Sequence, residues 1–90
     1  MPTHHLLIKG KVQGVFYRAT AKKIANKLKI TGWIKNTNEG DVEAMVTGTS
    51  DALNEFATWC KQGPERANVS EVIVTEQLEN TFNDFKIIRG

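Results

Sequence analysis

The sequence predicts an α+β fold in which an antiparallel sheet carries two helices on one face. Apolar residues alternate with a period of two over several short segments, and they change to a helical period over two others. The segments follow the order β-α-β-β-α-β, with a short fifth strand at the end. Ninety residues suffice for one core, so we expect residues 1–90 to form a single domain.

The first strand and the first helix differ in their apolar period. A strand is predicted over residues 6–12, where Leu6, Ile8 and Val12 alternate with more polar positions. Gln13 and Gly14 interrupt this alternation. From Arg18 onward the apolar residues lie three and four apart, as in an amphipathic helix. Its core stripe is Ala21, Ile24, Ala25 and Leu28.

The next two strands are predicted to form a β-hairpin. They cover residues 31–37 and 41–47, and the segment 36–40 between them has the asparagine and glycine content of a turn. Along the second of them Val42, Ala44 and Val46 share one face. This alternation predicts that one side of the hairpin faces the core.

A second helix and two more strands complete the chain. Thr49 or Ser50 can cap the helix, Gly63-Pro64 ends it, and strands are expected over 69–77 and 82–88. The buried stripe of the helix is Leu53, Phe56, Ala57 and Cys60. The complete order is that of the split βαβ, or ferredoxin-like, fold, which hosts many functions and decides none of them.

Composition excludes some classes of function. Twelve basic and ten acidic residues give a net charge of +2, too small to indicate nucleic acid or a membrane as partner. A single cysteine, Cys60, rules out an internal disulfide and is expected to be a packed core thiol. His4 and His5 have no third ligand at metal spacing, and we expect terminal polar residues there. Residues 1–5 show no leader pattern, so we expect a cytoplasmic protein. Separately, we expect no metal and no cofactor.

The stretch from Gly10 to Arg18 is the strongest candidate for chemistry, because it joins a strand to a helix N-terminus. Such a junction offers free N–H groups and a positive dipole to an anion, and Gly14 permits a sharp turn. The amides from Val15 to Arg18 could line a phosphate cradle, with the guanidinium of Arg18 as a bidentate clamp. The alternative is an ordinary connection with a surface arginine.

Asn36 is the second candidate. It either opens the hairpin turn, as asparagine commonly does, or uses its side-chain amide to hold a water molecule. The sequence alone leaves both interpretations open.

Several motifs together resemble the acylphosphatase family over almost the whole chain. They are G-K-V-Q-G-V-F-Y-R at 10–18, G-W-I-K-N-T-N-E-G-D-V-E at 32–43, G-P-E-R-A-N-V at 63–69 and F-K-I at 85–87. The departures are mild: Tyr17 replaces a usual phenylalanine, residues 29–31 replace a more glycine-rich segment, and Glu39 replaces a common aspartate. None of them removes a chemical group that the family's mechanism needs.

The resemblance implies an enzyme that hydrolyses acyl phosphates to a carboxylate and inorganic phosphate without a metal. It implies that Arg18 is the essential arginine and that Asn36 positions the attacking water. The implied phosphate-binding loop uses the backbone amides of Gln13, Gly14, Val15, Phe16, Tyr17 and Arg18. The expected partners are a small-molecule acyl phosphate and, as product-like ligands, phosphate or sulfate; we expect a monomer.

Two rival functions are weighed against this one. RNA-recognition domains share the topology but stack bases on aromatics of the first and third strands, and the segments 6–12 and 41–47 contain none. The second rival is a non-catalytic domain of the same fold that binds phosphate or an acyl phosphate. The presence of both Arg18 and Asn36 favours the enzyme.

Overall fold

The predicted order of elements is confirmed in a computed structural model, which describes residues 1–89. The elements are β1 (Thr3–Lys11), α1 (Tyr17–Lys27), β2 (Thr31–Asn36), β3 (Val42–Thr47), α2 (Ser50–Gln62), β4 (Asn68–Gln77) and β5 (Phe85–Ile88).

The strands form one mixed sheet in the order β4-β1-β3-β2-β5. Strands β4, β1, β3 and β2 are antiparallel to their neighbours, as expected, but β5 pairs parallel to β2, with Ile34 opposite Ile87. The prediction of a fully antiparallel sheet is corrected at this edge. After β4 the chain crosses to the other edge and reverses, which gives β5 the direction of β2.

The core lies between the sheet and both helices, which therefore pack on the same face. Strand residues Leu6, Ile8 and Ile34 are at most 1% exposed, and they share one cluster with helix residues of α1 and α2. The helical members are Tyr17, Ala21, Ala25, Leu53, Phe56 and Cys60. Each large side chain buried in this way stabilises the fold by about 1.5–3 kcal/mol.

Element boundaries differ from the prediction where pairing, rather than apolar alternation, sets the limit. Strand β1 begins at Thr3 because Thr3, His4 and His5 pair with both β3 and β4, so the two histidines are strand residues and not terminal ones. Strand β5 begins at Phe85, the first residue of the segment to pair with β2. Within residues 1–89 no helix is long and apolar enough to cross a membrane.

Candidate active site

The loop between β1 and α1 is anchored by alternate side chains. Val12, Val15 and Tyr17 are each at most 5% exposed, whereas Gly14 and Phe16 face outward between them. Both outward residues have left-handed backbones, with φ of 73° at Gly14 and 63° at Phe16. Because a non-glycine residue adopts this conformation at a cost, the buried neighbours must hold the loop in place.

The backbone amides of residues 13–18 are free donors. Among residues 1–89, none of these six N–H groups finds a hydrogen-bond acceptor in the backbone or in a side chain. Helix α1 has no side-chain cap and no acidic residue in its first turn. Helix α2, in contrast, is capped by the Thr49 hydroxyl and carries Asp51 in its first turn. The start of α1 is therefore left to an external acceptor.

Arg18 lies in the first turn of α1, and its charge is uncompensated within the described chain. Its Nη1 is 3.5 Å from the backbone oxygen of Ile88, which is a weak hydrogen bond at most. Between residues 1 and 89, no carboxylate lies within ion-pair distance of the guanidinium. The fork of donors on Arg18 is thus available to an anion.

Asn36 is the last residue of β2, and its amide oxygen is an orphan. Oδ1 is buried, yet no donor reaches it from the part of the chain that the structure describes. Asn36, Arg18, Gly14 and Phe16 line one cavity of about 350 Å³. The structure therefore brings the predicted loop and the predicted asparagine together.

The topology explains why segments distant in sequence meet here. Strands β1 and β2 both run antiparallel to β3, which lies between them. Their C-terminal ends therefore lie at the same end of the sheet. The first strand leads into the loop 12–16, and the second ends at Asn36. Strand β5 runs parallel to β2 and adds the segment 87–89 at the same end.

Some residues of the site have no sequence signal. The sequence predicts a role for the backbone amide of Gln13, and in the structure its side chain also ties the loop to the hairpin. Its Nε2 donates to the carbonyl oxygens of Thr37, at 2.8 Å, and Asp41, at 2.7 Å. Ile87 and Arg89 line the cavity as well. Backbone acceptors and the parallel pairing of β5 leave no local pattern, so sequence reasoning could not find these contacts.

Tyr17 joins the loop to the second helix. Its hydroxyl donates to the carbonyl oxygen of Cys60 at 2.7 Å, and the centroid of its ring lies 5.3 Å from the ring centroid of Trp59. Burial raises the pKa of the tyrosine hydroxyl and raises the pKa of the Cys60 thiol to about 12. Cys60 is therefore the neutral, packed core thiol that the sequence predicted.

No metal-ligand cluster accompanies the cavity in the described residues. Within residues 1–89, no three histidine, cysteine, aspartate or glutamate side chains are grouped so that they could hold a metal ion. The polar groups that border the cavity are instead the guanidinium groups of Arg18 and Arg89, the amide of Asn36 and backbone N–H donors.

Comparison with known proteins places this arrangement in a family. The family model described as Acylphosphatase matches residues 4–87. An acylphosphatase of Syntrophus aciditrophicus is 42% identical over 85 residues, which cover 93% of this chain and 88% of the relative. The crystal structure of acylphosphatase from Bacillus subtilis superposes with a TM-score of 0.95 at 32% identity, over 99% of this chain and all of that one.

A similar fold also occurs within a much larger protein. The crystal structure of full-length HypF, in its phosphate- and nucleotide-bound form, matches with a TM-score of 0.87 at 25% identity. This match covers 98% of the present chain and 12% of HypF. The family model and the curated relative, by contrast, match nearly end to end. The chain therefore belongs to the acylphosphatase family of enzymes.

Proposed function

We propose that this protein hydrolyses the carboxyl–phosphate anhydride bond of acyl phosphates, giving a carboxylate and inorganic phosphate. The observation that carries the proposal is the cavity shared by Arg18, Asn36 and the loop that follows β1. Within residues 1–89, this cavity combines a cation without an ion-pair partner, N–H donors without acceptors and an amide oxygen without a donor, which are the groups that hydrolysis of a phosphoryl group needs.

The loop amides and Arg18 hold the phosphoryl group in this proposal. Six N–H groups at the positive end of α1 find no acceptor in the described part of the chain, and they offer several hydrogen bonds to phosphoryl oxygens. The guanidinium adds two parallel charge-assisted bonds. Negative charge on the oxygens of the transition state is stabilised by donors that are already in place, which is where such a site lowers the barrier.

Asn36 positions the water in this proposal. Its buried Oδ1 lacks a donor in the described chain, so a water that donates to it satisfies the orphan and is held at a fixed point. The water oxygen attacks phosphorus in line, and the bond from phosphorus to the carboxyl oxygen breaks. The electron pair leaves with the carboxylate, and the protons of the water go to the inorganic phosphate that is formed.

The leaving group explains why no general acid is part of the proposal. A carboxylic acid has a pKa near 4, so the carboxylate leaves as a stable anion without being protonated. The reaction then depends on charge stabilisation and alignment, and the proposal requires neither metal nor covalent intermediate.

The first test measures hydrolysis of benzoyl phosphate by the wild type, with and without a strong chelator. We expect turnover that the chelator leaves intact. Arg18→Gln should lower kcat/KM by about 10²–10³ with a melting temperature close to the wild type, because one preorganised charged donor is lost. Arg18→Lys, which keeps the charge and loses the fork, should fall in between. Near-normal turnover by Arg18→Gln would reduce the arginine to a surface residue.

The second test separates water placement from substrate binding. Asn36→Ala should lower kcat much more than it raises KM, because the amide contacts the water and not the phosphoryl group. Asn38→Ala is a matched control, since Asn38 is an exposed asparagine of the same turn and does not border the cavity that holds the loop. A change of KM alone in Asn36→Ala would move Asn36 into substrate binding.

The alternative is a non-catalytic domain that binds phosphate or an acyl phosphate. The match to HypF supports this alternative, because there a similar fold forms a small part of a large chain. The two functions differ in one result: the binding domain would take up phosphate at this site and leave benzoyl phosphate intact at enzyme concentrations comparable to the substrate.

A further inference from the structure

Phe16 is an aromatic side chain that the fold places in solvent. It is 73% exposed, although Val15 and Tyr17 on either side of it are buried. Its left-handed backbone, with φ of 63° and ψ of 26°, is unfavourable for a bulky residue. A side chain that is exposed and conformationally costly contributes little to the core, so its place beside the site calls for another explanation.

The surroundings of Phe16 divide the cavity into a polar and an apolar part. Arg18, Arg89, Asn36 and the loop amides supply the polar part, whereas Phe16 and Ile87 border the same space with apolar surface. The cavity measures about 350 Å³. When a phosphoryl group binds to its polar part, the remaining volume is left for the group attached to the phosphorus. The acyl group of the substrate is what adjoins the phosphoryl group.

We propose that Phe16 contacts the acyl group and that the enzyme favours acyl phosphates whose acyl group is apolar and planar, such as an aromatic ring. This inference rests on the proposed function, because it takes the phosphoryl group to lie at Arg18. An exposed ring that stacks on a second ring gains contact area and a favourable offset geometry. Phe16 is then a specificity-determining residue.

A neighbouring cavity offers a different place for the acyl group, and it would favour a charged acyl group over an apolar one. It measures about 500 Å³ and is lined by Arg18, Lys35 and Arg89, so it would favour an acyl group that carries its own negative charge. Lys35 is already engaged, however, since its Nζ lies 3.6 Å from Glu43 Oε1 and 5.5 Å from the centre of the Trp33 ring. Arg18 and Arg89 line both cavities and so do not distinguish them. The difference that remains is the exposed apolar ring of Phe16, which borders only the first of the two, and this ring carries the proposal.

The test is a ratio of two rates. We expect kcat/KM for benzoyl phosphate divided by kcat/KM for acetyl phosphate to fall about tenfold in Phe16→Ala. Taking the ratio between variant and wild type removes the different reactivities of the two leaving groups and any loss common to both substrates. Phe16→Tyr, which keeps the ring, should retain the wild-type ratio. Leu78→Ala removes another exposed apolar side chain, 93% exposed and outside the cavity, and should change neither rate.

Two results would overturn the proposal. The first is an unchanged ratio in Phe16→Ala. The second is a wild type that prefers succinyl phosphate, whose acyl group bears a carboxylate, over benzoyl phosphate, because the acyl group would then lie among the cations.

A binding measurement separates this proposal from the proposed function. Calorimetry with benzylphosphonate and ethylphosphonate needs no turnover. Tighter binding of benzylphosphonate that is lost in Phe16→Ala upholds the contact, even for a protein that hydrolyses no acyl phosphate. Equal affinities for the two phosphonates in the wild type overturn it, even for a protein that hydrolyses acyl phosphates well.

Discussion

Gly14 shows how a single residue serves the site through its backbone. Its φ is 73°, and a Cβ added to it would have no heavy atom within 4 Å. A larger side chain would therefore not clash with the protein, but the left-handed backbone favours a glycine at this position. Gly14 also borders the cavity of Arg18 and Asn36, where the proposed function places the substrate.

We expect Gly14→Ala to lose stability and activity together. The left-handed conformation should cost about 1–2 kcal/mol, or roughly 4–16 °C in melting temperature for a chain of this size. The added methyl group should also raise KM, because Gly14 borders the cavity in which the proposed function places the phosphoryl group.

Gly40→Ala is the matched control for this substitution. Gly40 has φ of 90° and open space around it, but it does not border the cavity. A similar loss of stability with normal activity is expected there. If both variants kept normal KM values, Gly14 would matter for the turn alone.

At this scale the sequence indicated which residues lie at the cavity better than it indicated their contacts. Arg18 and Asn36 stand out because their side-chain groups suit a phosphate and a water, and the structure places them at one cavity. The side chain of Gln13 bonds to two backbone carbonyls, and every residue provides a backbone carbonyl. No residue pattern could therefore have indicated that contact.

At the scale of elements, the C-terminal end of α2 and the start of α1 support each other. The carbonyl of Cys60 would accept a hydrogen bond from the residue four positions later, but that residue is Pro64, which has no N–H. The Tyr17 hydroxyl donates to this carbonyl instead, at 2.7 Å in a buried environment. The tyrosine that replaces the family's usual phenylalanine thus has a structural partner.

We expect Tyr17→Phe to lower the free energy of unfolding by about 1–3 kcal/mol, because a buried carbonyl loses its donor. Chemical denaturation with an unchanged slope would measure this as a shift of the midpoint. Thr58→Val is the control on the same helix, since the Thr58 hydroxyl donates to Asn54 at an exposed site where water can take its place. Equal losses in the two variants would mean that burial of the tyrosine contact has no special weight.

Elements were predictable where their signal is local. Alternation and helical spacing predicted the order of strands and helices, because each pattern lies within one segment. The parallel pairing of β5 with β2 was not predictable in this way. It depends on which sheet edge the chain reaches after β4, and the segment 85–88 has the same alternation in either direction.

At the scale of the whole molecule, the site exists only in the folded chain. Its residues come from the segments 13–18 and 87–89 and from Asn36. The sheet topology brings all three to the same end of the sheet. The unfolded chain has no comparable cluster of donors. An anion that binds the site must therefore stabilise the fold by mass action.

We expect inorganic phosphate, or sulfate, to raise the melting temperature of the wild type. At ten times its dissociation constant, a ligand that binds only the folded state adds about 1.4 kcal/mol, or roughly 6–11 °C for a chain of this size. Arg18→Ala should abolish the rise, because in the proposed site the positive end of α1 and the guanidinium hold the anion jointly. Sodium chloride at matched ionic strength corrects for general salt effects. An equal rise in Arg18→Ala would place the anion elsewhere on the protein, and the phosphoryl position on which the proposed mechanism depends would then be wrong.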